Sequence, residues 1–481
     1  MNSQAAAPYQ IEILGPSGPT RTSHRMPVTT VTGELVAELS LAPAPVVARA
    51  MATLRKASPA PLEFRLDAIR RAGHAYAGGT VAGLAAAEYE RLVARTSGLG
   101  IAEIRSSAKG MGSAAANIWE WTQYARPQCV VASQDDPAVR SGTGLWVRRG
   151  NVLGVHASGN HPGIHFVWLA ALALGYRVAV RPSRREPFTA HRLVSALWEA
   201  GFACNQLVML PGEYAAADEL IAGSDRAVVF GGSDVIEKYR DADLLAHGPG
   251  RSKILVAAGT DWREHIELVV DSASRGGGAG CNNATAVLVE GDKAVATAFA
   301  EAVAARLAKI PSLPPEDEAA LLPVHAIADA RRIEALVLQA ASGSTAVLGG
   351  MGIADDLGDG SAALRPSVHV FDSAEAVQTS GIEMAFPCLW FAPWSKEDGA
   401  RALRSTLNLV IIGGDDDLVD AVLDDPSIRN VYAGAVPTLF GGPKMPHEGY
   451  LSEFLMKPKG FLRRQGDTTM AGAKQRGSTC R

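Results

Sequence analysis

The sequence predicts an α/β fold with two doubly wound domains, each built around a mainly parallel sheet. Short apolar, β-favouring runs alternate with segments of helical apolar spacing from about residue 151 to 230, and a second block of such elements extends from about 253 to 433. Parallel strands need long crossover connections, usually helices, so this alternation indicates parallel sheets.

The first block is predicted to hold four strands and three helices. The strand NVLGVHA, residues 151–157, precedes a helix at 163–174 that Pro162 opens at a first-turn position. Further strands are expected at 177–180, 206–210 and 226–230, and further helices at 189–200 and 215–222.

The second block and the chain ends are predicted from the same patterns. Strands at 253–257 and 286–290 flank a helix at about 262–274, and another helix covers 295–310 before the proline-rich break PSLPPEDE. We expect this block to be a separate domain. Residues 1–125 are predicted to be mostly helical, residues 129–149 to form a hairpin, and residues 466–481 to be a loose tail.

Composition excludes several classes of protein. The chain has 481 residues, 47% hydrophobic and 20% charged, with a net charge of −4, so it lacks the basic footprint of a nucleic-acid-binding protein. Five widely spaced cysteines without a CxxC pair favour reduced thiols and a cytoplasmic location. No signal-peptide pattern opens the chain, and the longest apolar run, residues 164–174, is too short to cross a membrane.

Two predicted strand ends carry candidate binding turns, because parallel sheets bind ligands beyond the carboxyl ends of their strands. ASGNHPG follows the first strand, and FGGSD follows the fourth, where Gly232 and Ser233 open a helix. The N–H groups there could hold a phosphate, or the segment could be a tight turn with a serine cap. No GxGxxG follows a strand. His161 and His165 lie four residues apart without a third ligand nearby, so we expect no metal site.

One cysteine has unusual neighbours. The stretch GGGAGCNN, residues 276–283, surrounds Cys281 with residues that have almost no side chain. These neighbours give a thiol no packing, but they offer backbone N–H groups and room for another molecule to approach. The alternative is a small buried hydrophobe in a flexible turn.

Together these segments resemble the aldehyde dehydrogenase superfamily, and within it most closely the acyl-CoA reductase branch that makes fatty aldehydes for bacterial luminescence. The resemblance extends from about residue 130 to 462. It rests on five segments in the family's order: RRGNVLGVHASGNHPGIHFVWLAALALGYRVAVRPSRREPFTA, VVFGGSDVIEKY, GAGCNNATAVLVE, GIEMAFPCLWF and LFGGPKMPHEGYLSEFLMKPKGF.

The resemblance implies how the chain is organised. Residues 1–245 would form a helical N-terminal region and the cofactor-binding domain, and residues 246–435 the catalytic domain. Residues 436–481 would return to the cofactor domain and include an oligomerisation strand at 450–463. With the hairpin at 129–149, this strand would form a β arm that pairs subunits into a homodimer or a dimer of dimers.

The resemblance also implies roles for single residues. Cys281 would be the nucleophile that attacks a carbonyl carbon, and Asn160 would donate a hydrogen bond to the resulting oxyanion. Glu383 would bind a cofactor ribose, and Ser233 with Gly232 would contact the pyrophosphate. The joint presence of these residues counts against a catalytically retired binding or scaffold subunit, which is a second alternative.

Departures from the family pattern refine the expected reaction. Aldehyde-oxidising members have a water-activating glutamate where His247 stands in HGPGRSK, and Ala279 replaces a glutamine. Members that transfer acyl groups to or from coenzyme A have a segment similar to the Gly-Pro-Gly at 248–250. His247 could act as a base, or it could be a hydrogen-bonding wall residue.

We therefore expect NAD(P)H-dependent reduction of an acyl thioester to an aldehyde through a covalent thioester on Cys281, or the reverse acylating oxidation. The acyl group would be bound to coenzyme A or to an acyl carrier protein. The first alternative is a hydrolytic aldehyde dehydrogenase that uses His247 as base.

The segment RPSRREP, residues 181–187, bears on the cofactor. It follows the second strand, where the resemblance places the adenosine ribose. Arg181 stands for the family's lysine, and Arg184 stands for a glutamate that repels a 2′-phosphate. We expect both to bind the cofactor, together with Ser183 and Arg185. Guanidinium groups bind phosphate through a planar fork of donors, so we expect NADPH to be preferred over NADH. The alternative is that these arginines are ordinary loop charges.

Overall fold

The computed structural model describes residues 7–240 and 242–464; the predicted tail at 466–481 lies outside the described residues. In this part of the chain two seven-stranded sheets carry the architecture, and both are mainly parallel, which confirms the α/β prediction. Among the described residues no helix combines the length and the apolar character that a membrane crossing requires.

The N-terminal stretch from Tyr9 to Ser40 forms strands. They are β1 (Tyr9–Ile11), β2 (Ile13–Gly15), β3 (Gly18–Thr20), β4 (Arg25–Thr29) and β5 (Leu35–Ser40). Strand β5 lies between β1 and β4 in a small sheet, whereas β2 and β3 extend the first large sheet. The prediction of a mostly helical N-terminal region is therefore wrong for this stretch.

Four helices and a short ladder follow. They are α1 (Ala44–Lys56), α2 (Leu62–Gly78), β6 (Thr80–Val81), β7 (Leu84–Ala85), α3 (Ala86–Ser97) and α4 (Ile101–Gln123). The buried residues of α4 include Ile104, Ala108, Met111 and Ala115, whose spacing of three and four places them on one face. Helix α2 packs closely on it, since a Cβ on Gly73 would lie 2.3 Å from the Cβ of Ala115.

Residues 129–149 hold two strands, β8 (Val130–Val131) and β9 (Thr143–Arg148). These strands pair in parallel, so the predicted hairpin is wrong. A parallel pair cannot be joined by a tight turn, and the longer connection here includes a 3-10 turn at Pro137–Arg140.

The first large sheet is built as the alternation predicts. Its elements are β10 (Val152–His156), α5 (Val167–Ala173), β11 (Arg177–Arg181), α6 (Phe188–Glu199), β12 (Leu207–Met209), α7 (Tyr214–Ala222), β13 (Arg226–Phe230), α8 (Ser233–Lys238) and β14 (Leu244–His247). The strand order is β14-β13-β10-β11-β12-β2-β3. Every residue of β10 is buried, because helices cover both faces of the sheet. The predicted helix at 163–174 opens as a 3-10 turn, Pro162–Phe166, before α5.

The second large sheet follows without a long linker. Its region comprises β15 (Ser252–Val256), α9 (Ile266–Ser274), β16 (Ala284–Glu290), α10 (Lys293–Leu307), β17 (Val324–Ala326), α11 (Ile327–Ala340), β18 (Thr345–Leu348), β19 (Ala354–Asp356), β20 (Ser361–Leu364), β21 (Ser367–Val370), α12 (Ala374–Ser380), β22 (Cys388–Trp394), β23 (Thr406–Ile412), α13 (Asp416–Leu423) and β24 (Ile428–Ala433). The strand order is β18-β21-β22-β16-β15-β23-β24, with only β18 antiparallel to its neighbour among the described strands.

The C-terminal elements are α14 (Leu451–Leu455) and β25 (Met456–Phe461). Strand β25 pairs antiparallel with β9, which gives a three-stranded arm in the order β25-β9-β8. The strand predicted at 450–463 is therefore shorter at its start, because residues 451–455 are helical.

The two large sheets meet where β14 ends at His247 and the chain crosses to β15 at Ser252. Only the short segment 248–251 separates these strands. The side chains described below gather at this crossing.

Candidate active site

The loop that carries Cys281 lies between α9 and β16, and its path requires glycine. Gly276, Gly277 and Gly278 have φ angles of 64°, 72° and 68°, in the left-handed region that other residues adopt at a cost. A Cβ on Gly278 would lie 2.6 Å from the carbonyl carbon of Phe386. The glycines therefore set the path of the loop as well as leaving room around the thiol.

Asn283 fixes the same loop from inside. Its Oδ1 accepts a hydrogen bond from the N–H of Gly280 at 2.9 Å. Its Nδ2 donates to the carbonyls of Ser272 and Arg275, at 3.0 Å each. The loop is thus tied to the end of α9, and Cys281 is presented from a fixed position.

The Gly-Pro-Gly segment packs directly against the nucleophile. The carbonyl of Cys281 accepts a hydrogen bond from the Oγ of Ser252 at 3.2 Å. A Cβ on Gly250 would lie 1.9 Å from that carbonyl oxygen. Only glycine fits at residue 250, because any side chain would displace the cysteine.

Cys281 also contacts a histidine that the sequence interpretation missed. Its Sγ lies 3.4 Å from the Nε2 of His447. The Nδ1 of His447 is hydrogen-bonded to the Oε2 of Glu448, and the Nδ1 of His247 is hydrogen-bonded to the same oxygen. We refer to these four side chains (Cys281, His447, Glu448 and His247) as the nucleophile cluster.

The hydrogen bonds of Glu448 define which ring nitrogens are free. Burial raises the pKa of Glu448, but the hydrogen bonds and charges of His247 and His447 outweigh it and lower the pKa to about 2. An ionised carboxylate only accepts hydrogen bonds, so both rings must donate Nδ1–H to it. The Nε2 of His447 then faces Cys281, and the Nε2 of His247 is buried without a hydrogen-bond partner in the described part of the chain.

His447 is favoured in its charged form. Desolvation lowers the pKa of His447, whereas the hydrogen bonds and charges of Cys281 and Glu448 raise it by more, to about 10. The ring nitrogens and carboxylate of the cluster lie within 4.8 Å of one another, and their mutual hydrogen bonds account for this proximity without a metal ion.

The sequence held little to reveal His447 and Glu448. They lie in LFGGPKMPHEGY, a segment matched to the family for its glycines, and His447 is 166 residues from Cys281. Its backbone is positioned by Asn430, whose Nδ2 donates to the His447 carbonyl at 3.0 Å. The one available signal was an adjacent histidine and glutamate inside a matched segment.

His247 forms a wall of the site. Its ring is stacked on Phe230, with ring centres 4.4 Å apart, and 9% of the residue is exposed. The N–H of Gly231 donates to its carbonyl at 3.2 Å, which fixes the end of β14. The side chain of His247 is hydrogen-bonded to Glu448, and this carboxylate connects it to the rest of the nucleophile cluster.

Asn160 contacts the nucleophile loop through its side chain. Its Nδ2 donates to the carbonyl of Ala279 at 3.1 Å, and its Oδ1 accepts from the Oγ of Ser158 at 2.5 Å. An amide nitrogen carries two hydrogens. One of them therefore remains for an oxygen of a substrate.

Glu383 reaches the crossing between the sheets. Its Oε2 accepts a hydrogen bond from the N–H of Arg251 at 2.7 Å. Burial raises the pKa of Glu383 to about 7, although the backbone N–H groups of Arg251 and Gly250 act in the opposite direction. The charge of Glu448 adds to the rise. This carboxyl group consequently gains or loses a proton near neutral pH.

The turns predicted to bind a cofactor lie at the carboxyl edge of the first sheet. Gly159 packs on Ser183, since a Cβ there would lie 2.3 Å from the Ser183 Oγ. Gly232 caps helix α8, which begins at Ser233, and both residues are exposed.

Two of the three arginines at 181–185 have partners within the protein. Arg181 is 6% exposed and donates to the carbonyl of Gly212 at 3.0 Å. Arg185 donates to the carbonyl of Ser97 and to the Nδ1 of His325, at 3.1 Å each. These side chains therefore have structural partners that the sequence did not indicate.

Arg184 has no hydrogen bond or ion pair with any described residue. Its guanidinium lies 5.7 Å from the ring centre of Tyr214, which is 66% exposed at the start of α7. The Nζ of Lys238 lies 5.9 Å from the same ring centre and pairs with Asp218. Two cations thus border one exposed aromatic ring.

A comparison with protein families decides to which family this fold and site belong. The family model described as "Aldehyde dehydrogenase family" matches residues 21–384, more than half of the chain. The chain belongs to the aldehyde dehydrogenase family.

Curated relatives in this family match only part of their length. The "Malonate-semialdehyde dehydrogenase 1" of Geobacillus thermodenitrificans (strain NG80-2) is 25% identical over 168 residues, which is 32% of this chain and 35% of the relative. The "Bifunctional protein PutA" of Rhizobium meliloti is 31% identical over 109 residues, 22% of this chain and 9% of the relative. The chain thus spans about a third or less of the length of these relatives.

Solved structures of the family match over nearly the whole chain. An NAD-dependent aldehyde dehydrogenase from Sinorhizobium meliloti gives a TM-score of 0.78 at 17% identity and covers 97% of both chains. A gamma-glutamyl-gamma-aminobutyraldehyde dehydrogenase from Burkholderia cenocepacia J2315 gives 0.79 at 16% identity, covering 96% of this chain and 98% of its own. The predicted aldehyde dehydrogenase-like fold is confirmed. These likenesses do not distinguish the acyl-CoA reductase branch.

The aldehyde dehydrogenase family implies a nicotinamide dinucleotide, and the carboxyl edge of the first sheet fits one. The exposed ring of Tyr214 offers a face for a base, and Arg184 is a cation without a hydrogen-bond or ion-pair partner among the described residues. The residues that would hold the cofactor are Arg184, Gly232, Ser233 and Glu383.

Proposed function

We propose that the protein reduces an acyl thioester to an aldehyde with a nicotinamide cofactor, or catalyses the reverse acylating oxidation. The observation that carries this proposal is the state of His247, which stands where aldehyde-oxidising members have a water-activating glutamate. Its free nitrogen is buried and its ring is packed against Phe230. A base in that position is closed to water, which favours release of the acyl group from Cys281 to a thiol.

The proposed chemistry uses Cys281 and Asn160. The sulfur of Cys281 attacks the thioester carbonyl, forms a new C–S bond and expels the pantetheine thiol, while Asn160 stabilises the oxyanion. When bound, the nicotinamide supplies the hydride that reduces the enzyme thioester. The resulting thiohemiacetal anion then breaks its C–S bond, which releases the aldehyde and leaves Cys281 as a thiolate.

The proposed cofactor is NADPH, with NADH as a weaker one, because Arg184 and Lys238 offer positive charge beside Tyr214. A solved relative at 16% identity, GapN from Methanocaldococcus jannaschii DSM 2661, is described as complexed with NADP. The acyl group would be carried by coenzyme A or by an acyl carrier protein. The free thiols of Cys129, Cys204, Cys281 and Cys388 suit a reducing cytoplasm.

A panel of acyl-CoAs tests the reaction. We expect NADPH oxidation that depends on the thioester and releases aldehyde and free coenzyme A in equal amounts. The variant Cys281→Ala should show no such oxidation, because the acyl group has no attachment point. Free aldehydes and carboxylic acids without coenzyme A serve as substrate controls.

The opposite pattern would support the hydrolytic alternative. If free aldehydes are oxidised rapidly to acids without coenzyme A, and no thioester is reduced, the proposed reaction is wrong. The hydrogen bond between His247 and Glu448 supports this alternative, because it would hold the imidazole in the form of a base. In that case His247→Ala should abolish the oxidation.

We also propose that the arm pairs two copies of the chain into a homodimer or a dimer of dimers. Strand β25 lies at the edge of its three-stranded sheet, and residues 457–460 of this strand are exposed. Exposed strand edges offer unpaired backbone groups to another chain. Light scattering at micromolar concentration should give the mass of at least two chains; a monomer would contradict this assembly.

A further inference from the structure

The nucleophile of this protein has an imidazole partner whose protonation is set by its other contact. The Nε2 of His447 lies 3.4 Å from the Sγ of Cys281. Its Nδ1 carries a hydrogen, because it donates to the carboxylate of Glu448. The Nε2 therefore either holds a lone pair ready for the thiol proton or already carries that proton.

We propose that Cys281, His447 and Glu448 form a catalytic triad in which the thiol proton moves to the Nε2 of His447. The S–H bond breaks, an N–H bond forms, and the electron pair stays on sulfur as a thiolate. Glu448 remains ionised and stabilises the imidazolium through Nδ1–H. His447 is a catalytic residue because it touches the reacting sulfur, whereas Glu448 is a positioning residue that acts through His447.

The charges around His447 favour an ion pair between the His447 imidazolium and the Cys281 thiolate. Among the described residues, Glu448 and Cys281 are the anionic or ionisable acidic groups in contact with His447, and both contacts raise the pKa of His447. His247, at the end of β14, shares the carboxylate of Glu448. Glu383, which follows α12, repels Glu448, but it is bound to the N–H of Arg251 and neutral for part of the time near pH 7.

This triad gives the cysteine a resting state that differs from that of an ordinary thiol. A free cysteine is mostly protonated at neutral pH and becomes a good nucleophile only as it ionises, near pH 8.5. In the proposed triad the thiol proton is transferred to the imidazole that contacts the sulfur, so the thiolate forms without an external base. The triad serves the proposed thioester chemistry and rests on it for its catalytic role, but the ionisation itself needs no substrate.

The pH dependence of alkylation tests the triad in the free, full-length protein. Iodoacetamide is applied between about pH 6 and pH 8.5, and the carbamidomethylation of each cysteine is followed by mass spectrometry. We expect the rate at Cys281 to change by less than about threefold over this range. The rate at a reference thiol, an unstructured cysteine-containing peptide in the same mixture, should fall about 10²-fold toward pH 6, because a free cysteine ionises near pH 8.5.

Variants separate the contributions of the two partners. His447→Asn keeps a hydrogen-bonding side chain but cannot take the proton, so Cys281 should acquire the steep profile of the reference thiol. Glu448→Gln should lower the Cys281 rate at pH 6 by at least about tenfold, because the imidazolium loses its carboxylate. Glu453→Gln, which removes an exposed carboxylate a little further along the chain, is the matched control and should leave the profile unchanged.

Three outcomes would overturn the triad: a steep wild-type profile at Cys281, a flat profile that survives in His447→Asn, or equal labelling of all accessible thiols. The wild-type result stands even if a variant fails to fold, because the reference thiol is measured in the same sample. Since alkylation uses neither acyl-CoA nor nicotinamide, the triad and the proposed reaction fail independently. A flat profile without thioester reduction would refute only the reaction, and equal labelling of all accessible thiols would refute the triad and favour a scaffold protein.

Discussion

Asn160→Ala is expected to lower kcat/KM for thioester reduction by about 10²–10³-fold, the usual effect of removing one donor from an oxyanion site. The amide of Asn160 is held by two contacts, with Ala279 and with Ser158, and so is aimed before any substrate arrives. One of its N–H groups remains free. A donor fixed in this way stabilises developing charge without having to reorganise.

The isosteric variant Asn160→Asp separates the donor from the shape of the side chain. It keeps the volume of Asn160 but lacks the N–H groups, so its loss should be at least as large as that of the alanine variant. The pH profile of Cys281 alkylation should change little in the alanine variant, because the nucleophile cluster is intact. A loss below about tenfold in kcat/KM, measured from steady-state NADPH oxidation, would remove Asn160 from the oxyanion site.

The parallel sheets could be predicted because their strands are buried on both faces. Such strands appear as unbroken apolar runs between glycine and proline turns, and the run predicted at 226–230 coincides with β13 (Arg226–Phe230). The strands between Tyr9 and Ser40 lack this signal. Strands β3 and β4 contain glycine, proline and charged residues, and β1 pairs with β5, which is separated from it in the chain by three other strands.

The arm could not be predicted for a similar reason. The direction of β8 depends on its partner β9, and β9 is paired along its whole length with β25, which lies near the other end of the chain. A strand as short as Val130–Val131 carries no information about whether its neighbour is parallel. Tertiary pairing decided the topology, and the local pattern could indicate only strands.

The candidate active site likewise combines residues from local sequence motifs with residues from a distant segment. Cys281 and Asn160 could be proposed from the sequence because each lies in a short local motif beside a strand, and in the structure Asn160 contacts the loop of Cys281 at Ala279. The partners of the thiol come from a distant segment, and their meeting depends on how residues 434–450 return across the crossing between the sheets. No residue spacing in the sequence indicates that this segment comes back to Cys281. The proposed triad could therefore be inferred only from the structure.

Arg184→Glu is expected to shift the ratio of kcat/KM for NADPH over NADH by about 10²-fold toward NADH, which corresponds to about 3 kcal/mol. A hydrogen bond to a charged group contributes about 1.5–3 kcal/mol, and a carboxylate at the same place adds repulsion of the 2′-phosphate. Arg184 is suited to this role because it has no hydrogen-bond or ion-pair partner among the described residues, and because it lies with Lys238 beside the ring of Tyr214.

Arg185→Ala provides a matched control for Arg184→Ala, because the two arginines are adjacent but differ in their contacts. The guanidinium of Arg185 is bound to Ser97 and His325, so its loss should leave the cofactor ratio unchanged, although it can lower stability. Calorimetric titration with NADPH and NADH measures the two dissociation constants without any acyl substrate. The expected result is a weaker affinity for NADPH alone in Arg184→Ala, and a reversed preference in Arg184→Glu. A wild-type protein that binds NADH more tightly than NADPH would refute the assignment, since the only change between these ligands is the phosphate that Arg184 is proposed to hold.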